Sequence, residues 1–278
     1  MLGSLLIVFR EVIEAGLIVG IVLAATKGVP RRALWVAYGV IGGVLGACLV
    51  AGFAGQLEML FEGSGQELFN AAILIVAVVM LTWHNVWMAG HGRQMAREMR
   101  EIGGQVATGE RTLAALSIVV GVAVLREGAE VVLFLYGIAS QPGTTTASLL
   151  AGGAMGVAAG ACVSALMYYG LLAIPAHKLF RVTAGLITLL AAGMAAQAVL
   201  FLQNAGYLQV MMGTVWDTSW LLPEGSLLGK LLHTLIGYSD QPNGLQLVAY
   251  SLTILGITLL MRWEQSRNPR KPVPQPAE

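Results

Sequence analysis

The sequence predicts an all-α membrane protein with seven transmembrane helices, arranged as two inverted three-helix repeats plus a seventh helix. Three observations predict this fold class: an apolar composition, regular apolar runs of membrane-spanning length, and a charged motif that occurs twice. Of the 278 residues, 56% are hydrophobic and 11% are charged, about half the charged fraction of a typical soluble domain. Such a chain cannot cover a soluble surface, so we expect the lipid bilayer to surround it.

Seven apolar runs of about 20 residues are long enough to cross a hydrocarbon core of about 30 Å. The predicted spans are 2–25, 34–56, 68–90, 113–139, 149–173, 179–202 and 245–263. We do not expect the first to be a removable signal peptide, because it lacks a basic leader and carries three charged residues. We therefore predict one transmembrane domain at 1–263 and a flexible cytoplasmic tail at 264–278. The domain consists of repeat one at about 1–90, repeat two at about 113–203, an outer loop at 203–244, and the seventh span at 245–263.

The basic residues predict the orientation of the chain in the membrane. Most of them lie on one side of the predicted spans, namely Lys27, Arg31, Arg32, Arg93, Arg97, Arg100, Arg111, Lys178, Arg181, Arg262, Arg267, Arg270 and Lys271. Only Lys230 lies on the other side, and Arg10 and Arg126 lie within spans. The positive-inside rule then places the N-terminus outside and the C-terminus in the cytoplasm. The outer side is acidic, which favours cations, and nucleic acid is not an expected partner.

The two halves of the chain repeat each other in sequence. The first span contains Arg-Glu-Val-Ile-Glu at residues 10–14 and the fourth contains Arg-Glu-Gly-Ala-Glu at residues 126–130, an offset of 116. Small residues of the second and fifth spans match at an offset of 114, with Gly42 aligned to Gly156. We expect these glycines to serve close helix packing. Because a repeat has three spans, the second unit enters from the opposite side, as in many secondary transporters with a midplane substrate site.

Six charged residues inside the predicted spans are the candidate site. They are Arg10, Glu11, Glu14, Arg126, Glu127 and Glu130. Each costs at least about 2.5–3.5 kcal/mol at the centre of a spanning helix. The three residues of a motif fall at roughly 0°, 100° and 40° around the helix and share a face. If the two faces meet, the carboxylates outnumber the guanidiniums, and their hard oxygens favour a hard or borderline cation. We expect each arginine to orient a glutamate through a bidentate pair. The alternative is a set of salt bridges that only fixes helix assembly.

Five further residues are secondary candidates. Glu58, Glu62 and Glu67 lie on the outer side, where they form either a cation-capture cluster or a solvated acidic loop. His84 in the third span either lines a path or is a satisfied interior histidine. Gln197 is polar within the apolar sixth span, and the same two explanations apply to it.

Almost the whole chain resembles the oxidase-dependent iron permeases of fungi and bacteria. The resemblance rests on the motifs at 10–14 and 126–130, on Thr82-Trp83 in the third span, and on Gly237-Tyr238 at the end of the outer loop. It implies a multi-pass protein of the cell membrane, such as a bacterial inner membrane, that imports ferric or ferrous iron. The motif glutamates would be the ligands, with iron as the substrate and no permanently bound cofactor.

Family resemblance also implies a partner, because many such permeases work beside a periplasmic or other extracytoplasmic ferroxidase or cupredoxin-like protein. The sequence has no copper or haem motif of its own, so any redox step would come from that partner. Three alternatives remain at this stage: a permease or channel for another divalent cation such as manganese, a membrane-embedded metalloenzyme, and a structural subunit that anchors an oxidase. The enzyme is disfavoured because no predicted span carries a Glu-x-x-His or His-Glu-x-x-His pattern.

Overall fold

In the computed structural model, which describes residues 1–60, 66–141, 144–170 and 176–267, the chain folds into helices joined by loops. The helices are α1 (Leu2–Ala25), α2 (Arg32–Leu60), α3 (Gln66–Ala107), α4 (Ala114–Ala139), α5 (Thr146–Tyr168), α6 (Ala176–Asn204), α7 (Leu227–Ile236) and α8 (Gly244–Arg267). Within these ranges the structure contains no strand, and only one isolated bridge joins Thr214 to Asn243. The predicted all-α class is confirmed.

Five of the described helices, α2, α3, α5, α6 and α8, are long and apolar enough to cross a membrane. The chain is therefore a multi-pass membrane protein. Helices α1 and α4 have comparable lengths of 24 and 26 residues, but each carries one arginine and two glutamates near its middle. These charges distinguish the two helices from the other five.

Helix α3 is much longer than its predicted span of 68–90, and the basic stretch that follows this span is helical as far as Ala107. The extension is rich in good helix formers, and Gln94 donates a 2.9 Å hydrogen bond to Glu98 one turn later. Val106 is buried near the end of α1. Helix α8 also continues beyond its predicted end to Arg267. The first four residues of the predicted tail are therefore helical, and residues 268–278 lie outside the described part of the chain.

The stretch at 203–244, predicted to be an outer loop, is folded around the short helix α7. The Ser226 hydroxyl caps the start of α7 by accepting from the Gly229 amide at 3.0 Å, and Gly237 ends it with a φ of 69°. The Tyr238 hydroxyl donates to the Leu222 carbonyl at 2.9 Å. Hydrogen bonds from the Ser219 hydroxyl and amide, and from Gln241, lower the pKa of Asp217 below its usual value. The loop is thus held by local hydrogen bonds.

Helix pairing follows a regular pattern, in which α2 packs most extensively on α4, α1 on α5, and α3 on α6. Gly43 makes the α2–α4 contact close, and Gly156 makes the α1–α5 contact close. A Cβ on Gly43 would lie 2.7 Å from the Gly121 carbonyl oxygen, and one on Gly156 would lie 2.8 Å from the Leu5 carbonyl oxygen. Gly121 and Leu5 are separated by the same 116 residues as the charged motifs. The predicted packing role of Gly156 is confirmed.

The predicted packing role of Gly42 is wrong. Gly42 is exposed, and a Cβ there would meet nothing within 4 Å. Its neighbour Gly43 makes the contact, so the equivalent of Gly156 lies at an offset of 113, not the 114 that the sequence suggested. Adjacent glycines allow two small-residue stripes about 100° apart on a helix, and only the position of α4 selects between them.

Two buried apolar clusters lie toward opposite ends of the α1–α4 pair. One contains Ile7 of α1 and Phe134 of α4, together with residues of α3, α6 and α8. The other contains Val22 of α1 and Leu116 of α4, together with residues of α2 and α3. The charged motifs lie between the two clusters along both helices.

We expect Gly43→Ala to lower the stability of the folded protein, whereas Gly42→Ala leaves it unchanged or slightly raised. Both substitutions bring the same gain in helix propensity, but only the Cβ at position 43 collides with the backbone of α4. Overpacking of this kind costs about 1–3 kcal/mol. Thermal unfolding of the two purified variants in detergent compares them directly. Equal melting temperatures would contradict the described α2–α4 contact.

Candidate metal centre

The two charged motifs form matching ion pairs at the middle of α1 and α4. In α1, Arg10 Nε donates to Glu14 Oε1 at 2.8 Å, and both side chains are 3% exposed. In α4, Arg126 Nε donates to Glu130 Oε1 at 3.1 Å. The one-turn spacing of the motif therefore brings arginine to glutamate on the same helix. Each pair is a single Nε–Oε1 hydrogen bond, whereas the sequence led us to expect a bidentate pair.

His84 of α3 lies between the two motifs. Its Nε2 is 3.5 Å from Glu14 Oε2 and 3.9 Å from Glu11 Oε2, and its Nδ1 contacts the Glu130 carboxylate. The imidazole is 2% exposed and packs edge-on against the ring of Phe134. The structure places His84 among the motif carboxylates, and its role in lining a path stays a prediction.

A group of four side chains, Glu11, His84, Glu127 and Glu130, could hold a metal ion. Each offers one ligand atom, and these atoms all lie within 4.8 Å of one another. The set comes from three helices, α1, α3 and α4, and combines carboxylate oxygens with an imidazole nitrogen. Such a mixed set suits borderline divalent cations of the first transition row.

Several buried polar atoms in this region have no hydrogen-bond partner among the described residues. They include both carboxylate oxygens of Glu11 and Oε2 of Glu127. Buried polar groups are normally paired, so unpaired carboxylate oxygens that converge, as those of Glu11 and Glu127 do, are an arrangement that a bound cation satisfies. The amide of Asn85, next to His84 in the sequence of α3, is also buried without a partner among the described residues, and it was not among the predicted candidates.

The second motif is more accessible than the first. The side chains of Arg126 and Glu130 are 33% and 16% exposed, against 3% for each partner in the first pair. A cavity of about 230 Å³ borders this side and is lined by Val79, Met80, Trp83, His84 and Glu130. The group of candidate ligands is therefore reachable through the second motif, beside α3.

The remaining candidates lie away from this centre or outside the description. Glu62 lies outside the described residues, as does the side chain of Glu58. Glu67 is exposed in the first turn of α3, where a carboxylate also stabilises the helix terminus. Gln197 is buried in α6, with 6% of its surface exposed. The capture role of the three glutamates and the path role of Gln197 stay predictions.

We expect Glu127→Gln to raise the melting temperature of the metal-free protein. Among the described residues neither Glu127 nor Glu11 is ion-paired with an arginine, so the substitution removes one buried carboxylate from a crowded group. The same variant should lose the stabilisation that added Fe²⁺ or Mn²⁺ gives the unsubstituted protein. Thermal unfolding with and without metal measures both effects, with the exposed Glu101→Gln as the matched control. A lower metal-free melting temperature for Glu127→Gln would contradict the crowding of these carboxylates.

Comparison with known proteins places the chain in a family. Residues 1–263 match the family model described as "Iron permease FTR1 family". Similar proteins include the ferrous iron permease EfeU of Escherichia coli O6:K15:H31 (strain 536 / UPEC), 31% identical over 242 residues that cover 86% of this chain and 87% of that protein. The ferrous iron permease EfeU of Yersinia pestis is 31% identical over 261 residues, 92% of this chain and 91% of its own. No solved structure matches the chain. With a family model that spans nearly its whole length and two such relatives, this chain belongs to the FTR1 iron permease family.

Proposed function

We propose that this protein imports iron across the cytoplasmic membrane through a site formed by Glu11, Glu14, Glu127, Glu130 and His84. The observation that carries the proposal is the convergence of ligand atoms from both motifs and from His84 within 4.8 Å, in the middle of a membrane protein of an iron permease family. Ionisable groups at membrane depth mark ion pathways by default, because their burial is costly. The permease is therefore the function that best accounts for the site.

Different residues of the proposed site have different roles. Glu11 and Glu127, which lack an arginine partner among the described residues, are the freest carboxylate ligands. Glu14 and Glu130 each use one oxygen for an arginine and turn the other toward His84. The arginines hold these two glutamates in place and keep the group from an excess of negative charge. We propose His84 as the ligand that joins the two halves of the site.

Ferrous iron is the cargo that we propose. An imidazole beside carboxylates suits Fe²⁺ better than an all-oxygen set does, and the relatives at 31% identity are named ferrous iron permeases. Ferric iron is the alternative. It would require the periplasmic ferroxidase or cupredoxin-like partner that the family resemblance implies. Manganese is a second alternative cargo, because the same donor set also suits Mn²⁺.

The proposed architecture has seven spans, α1 to α6 and α8, within one domain at 1–263. We propose that α1–α3 and α4–α6 are inverted repeats, with the N-terminus outside and the C-terminus in the cytoplasm. In support, α2 packs on α4 through Gly43 as α5 packs on α1 through Gly156. Each half thus contributes its second helix to the other half. A site at the meeting point of the two halves fits the general location of substrate sites in such transporters.

The proposal predicts that Glu14→Ala and Glu130→Ala abolish iron uptake, because each removes a ligand and leaves an arginine without its partner. Uptake of radioactive iron into proteoliposomes tests this, with ferrous iron under a reductant and ferric iron as a chelate offered separately, and with manganese and zinc as competitors. The exposed Glu101→Gln is the matched control for loss of a carboxylate, and size-exclusion profiles verify folding. Uptake near that of the unsubstituted protein in both alanine variants would refute the site. Efficient competition by manganese would instead revise the cargo.

We also expect Arg126→Lys to reduce uptake although it keeps the positive charge. A lysine ammonium is a compact point charge that cannot reproduce the planar guanidinium and its oriented Nε–H donor. The loss should appear chiefly as a raised KM for iron, since a misplaced Glu130 weakens binding. Concentration-dependent uptake in proteoliposomes measures KM and maximal rate separately. Unchanged kinetics would show that charge alone suffices at position 126.

A further inference from the structure

Arg126 is held by an aromatic ring as well as by its glutamate. Its guanidinium carbon lies 4.1 Å from the centroid of the Trp87 ring, and Trp87 is one turn of α3 beyond His84. The Arg126 side chain is one third exposed at the middle of α4, whereas Arg10 is almost completely buried. An arginine at this depth that protein does not enclose needs another group to hold it. Trp87 is in position to do so.

Trp87 is itself fixed by two further contacts. The ring of His91 stacks on it, with centroids 5.3 Å apart and planes within 7° of parallel. His91 Nδ1 lies 3.2 Å from the Trp87 carbonyl oxygen and 3.8 Å from Glu264 Oε1 of α8. Gly90 makes room for this carboxylate, because a Cβ there would come within 2.8 Å of Glu264 Cγ. A continuous set of contacts thus runs from α8 through α3 to the second motif.

The corresponding positions of the other half carry none of these side chains. At an offset of 113 or 114, His84 corresponds to Gln197 or Ala198, Trp87 to Leu200 or Phe201, and His91 to Asn204 or Ala205. The first motif obtains its rigidity from burial. The second lacks that enclosure and is supported by α3 and α8.

We propose that Trp87, fixed by His91 and Glu264, is a positioning residue that holds Arg126 and thereby sets Glu130 for iron. This inference rests on the proposed function, because it assigns Trp87 a role in the same site. Trp87 itself does not touch the metal. When its ring is removed, Arg126 is free to leave Glu130, and the site must be ordered again each time iron binds.

The test is the equilibrium affinity of the purified protein for Fe²⁺ in lipid nanodiscs under anaerobic, reducing conditions. Trp87→Leu should weaken binding by about 2- to 30-fold, the range to which cation–π energies convert. Trp87→Phe, which keeps a ring, should recover most of the affinity, and Glu264→Gln should show a smaller loss. The matched control is Trp263→Leu, which breaks the other cation–π pair, that of Trp263 with Arg267 at 3.8 Å. It should leave affinity unchanged.

A mutant cycle separates positioning from general packing. If Trp87 acts through Arg126, adding Trp87→Leu to Arg126→Gln should cause no further loss of affinity. Additive losses, or a Trp87→Leu variant that binds as well as Trp263→Leu, would overturn the inference. If Trp87→Leu does not fold, Glu264→Gln takes its place. Unchanged iron affinity in that variant would overturn the inference, and reduced affinity would support it. Glu130→Ala tests the proposed function separately. Normal iron binding by that variant would refute the proposed site. Loss of binding in Glu130→Ala together with normal binding in Trp87→Leu would refute only the role of Trp87.

Discussion

The constraint on which the structure depends is the burial of charged side chains in the middle of two apolar helices. Each such group costs at least about 2.5–3.5 kcal/mol in a bilayer, so α1 and α4 must face protein on their charged sides. The structure meets this requirement by bringing their motifs together with α3. Helices α2 and α5 pack along α4 and α1 and present most of their own surface outward. The arrangement of the bundle follows from hiding these charges.

Close helix packing and the geometry of the site are linked. Gly43 lets α2 approach the backbone of α4 closely, and Gly156 lets α5 approach that of α1. These contacts leave α1 and α4 little freedom to rotate. The motifs of α1 and α4 therefore face the site in a fixed direction. Apolar clusters lie on both sides of the motifs along the bundle, one around Phe134 and one around Leu116. The polar centre is thus bounded at both ends, and the cavity beside Glu130 reaches it from the side.

The two halves of the molecule resemble each other in sequence and packing but differ at the site. The first motif is enclosed, whereas the second borders a cavity and contacts Trp87. The difference comes from α3, which contributes His84, whereas α6 has no histidine at the corresponding position. The site is therefore asymmetric, and the cavity borders it on the side of the second motif.

The sequence by itself determined the membrane class, the bounds of α1 at Leu2 and Ala25, and the pairing of each motif arginine with a glutamate. These features depend on composition and on the spacing of residues along one helix, which are local. Only the tertiary structure decided that Gly43 and not Gly42 contacts α4, that α3 continues to Ala107, and that His84 lies between the motifs. A lone histidine or a pair of adjacent glycines fits more than one environment. The neighbouring helix selects among those environments, and one sequence does not reveal where that helix lies.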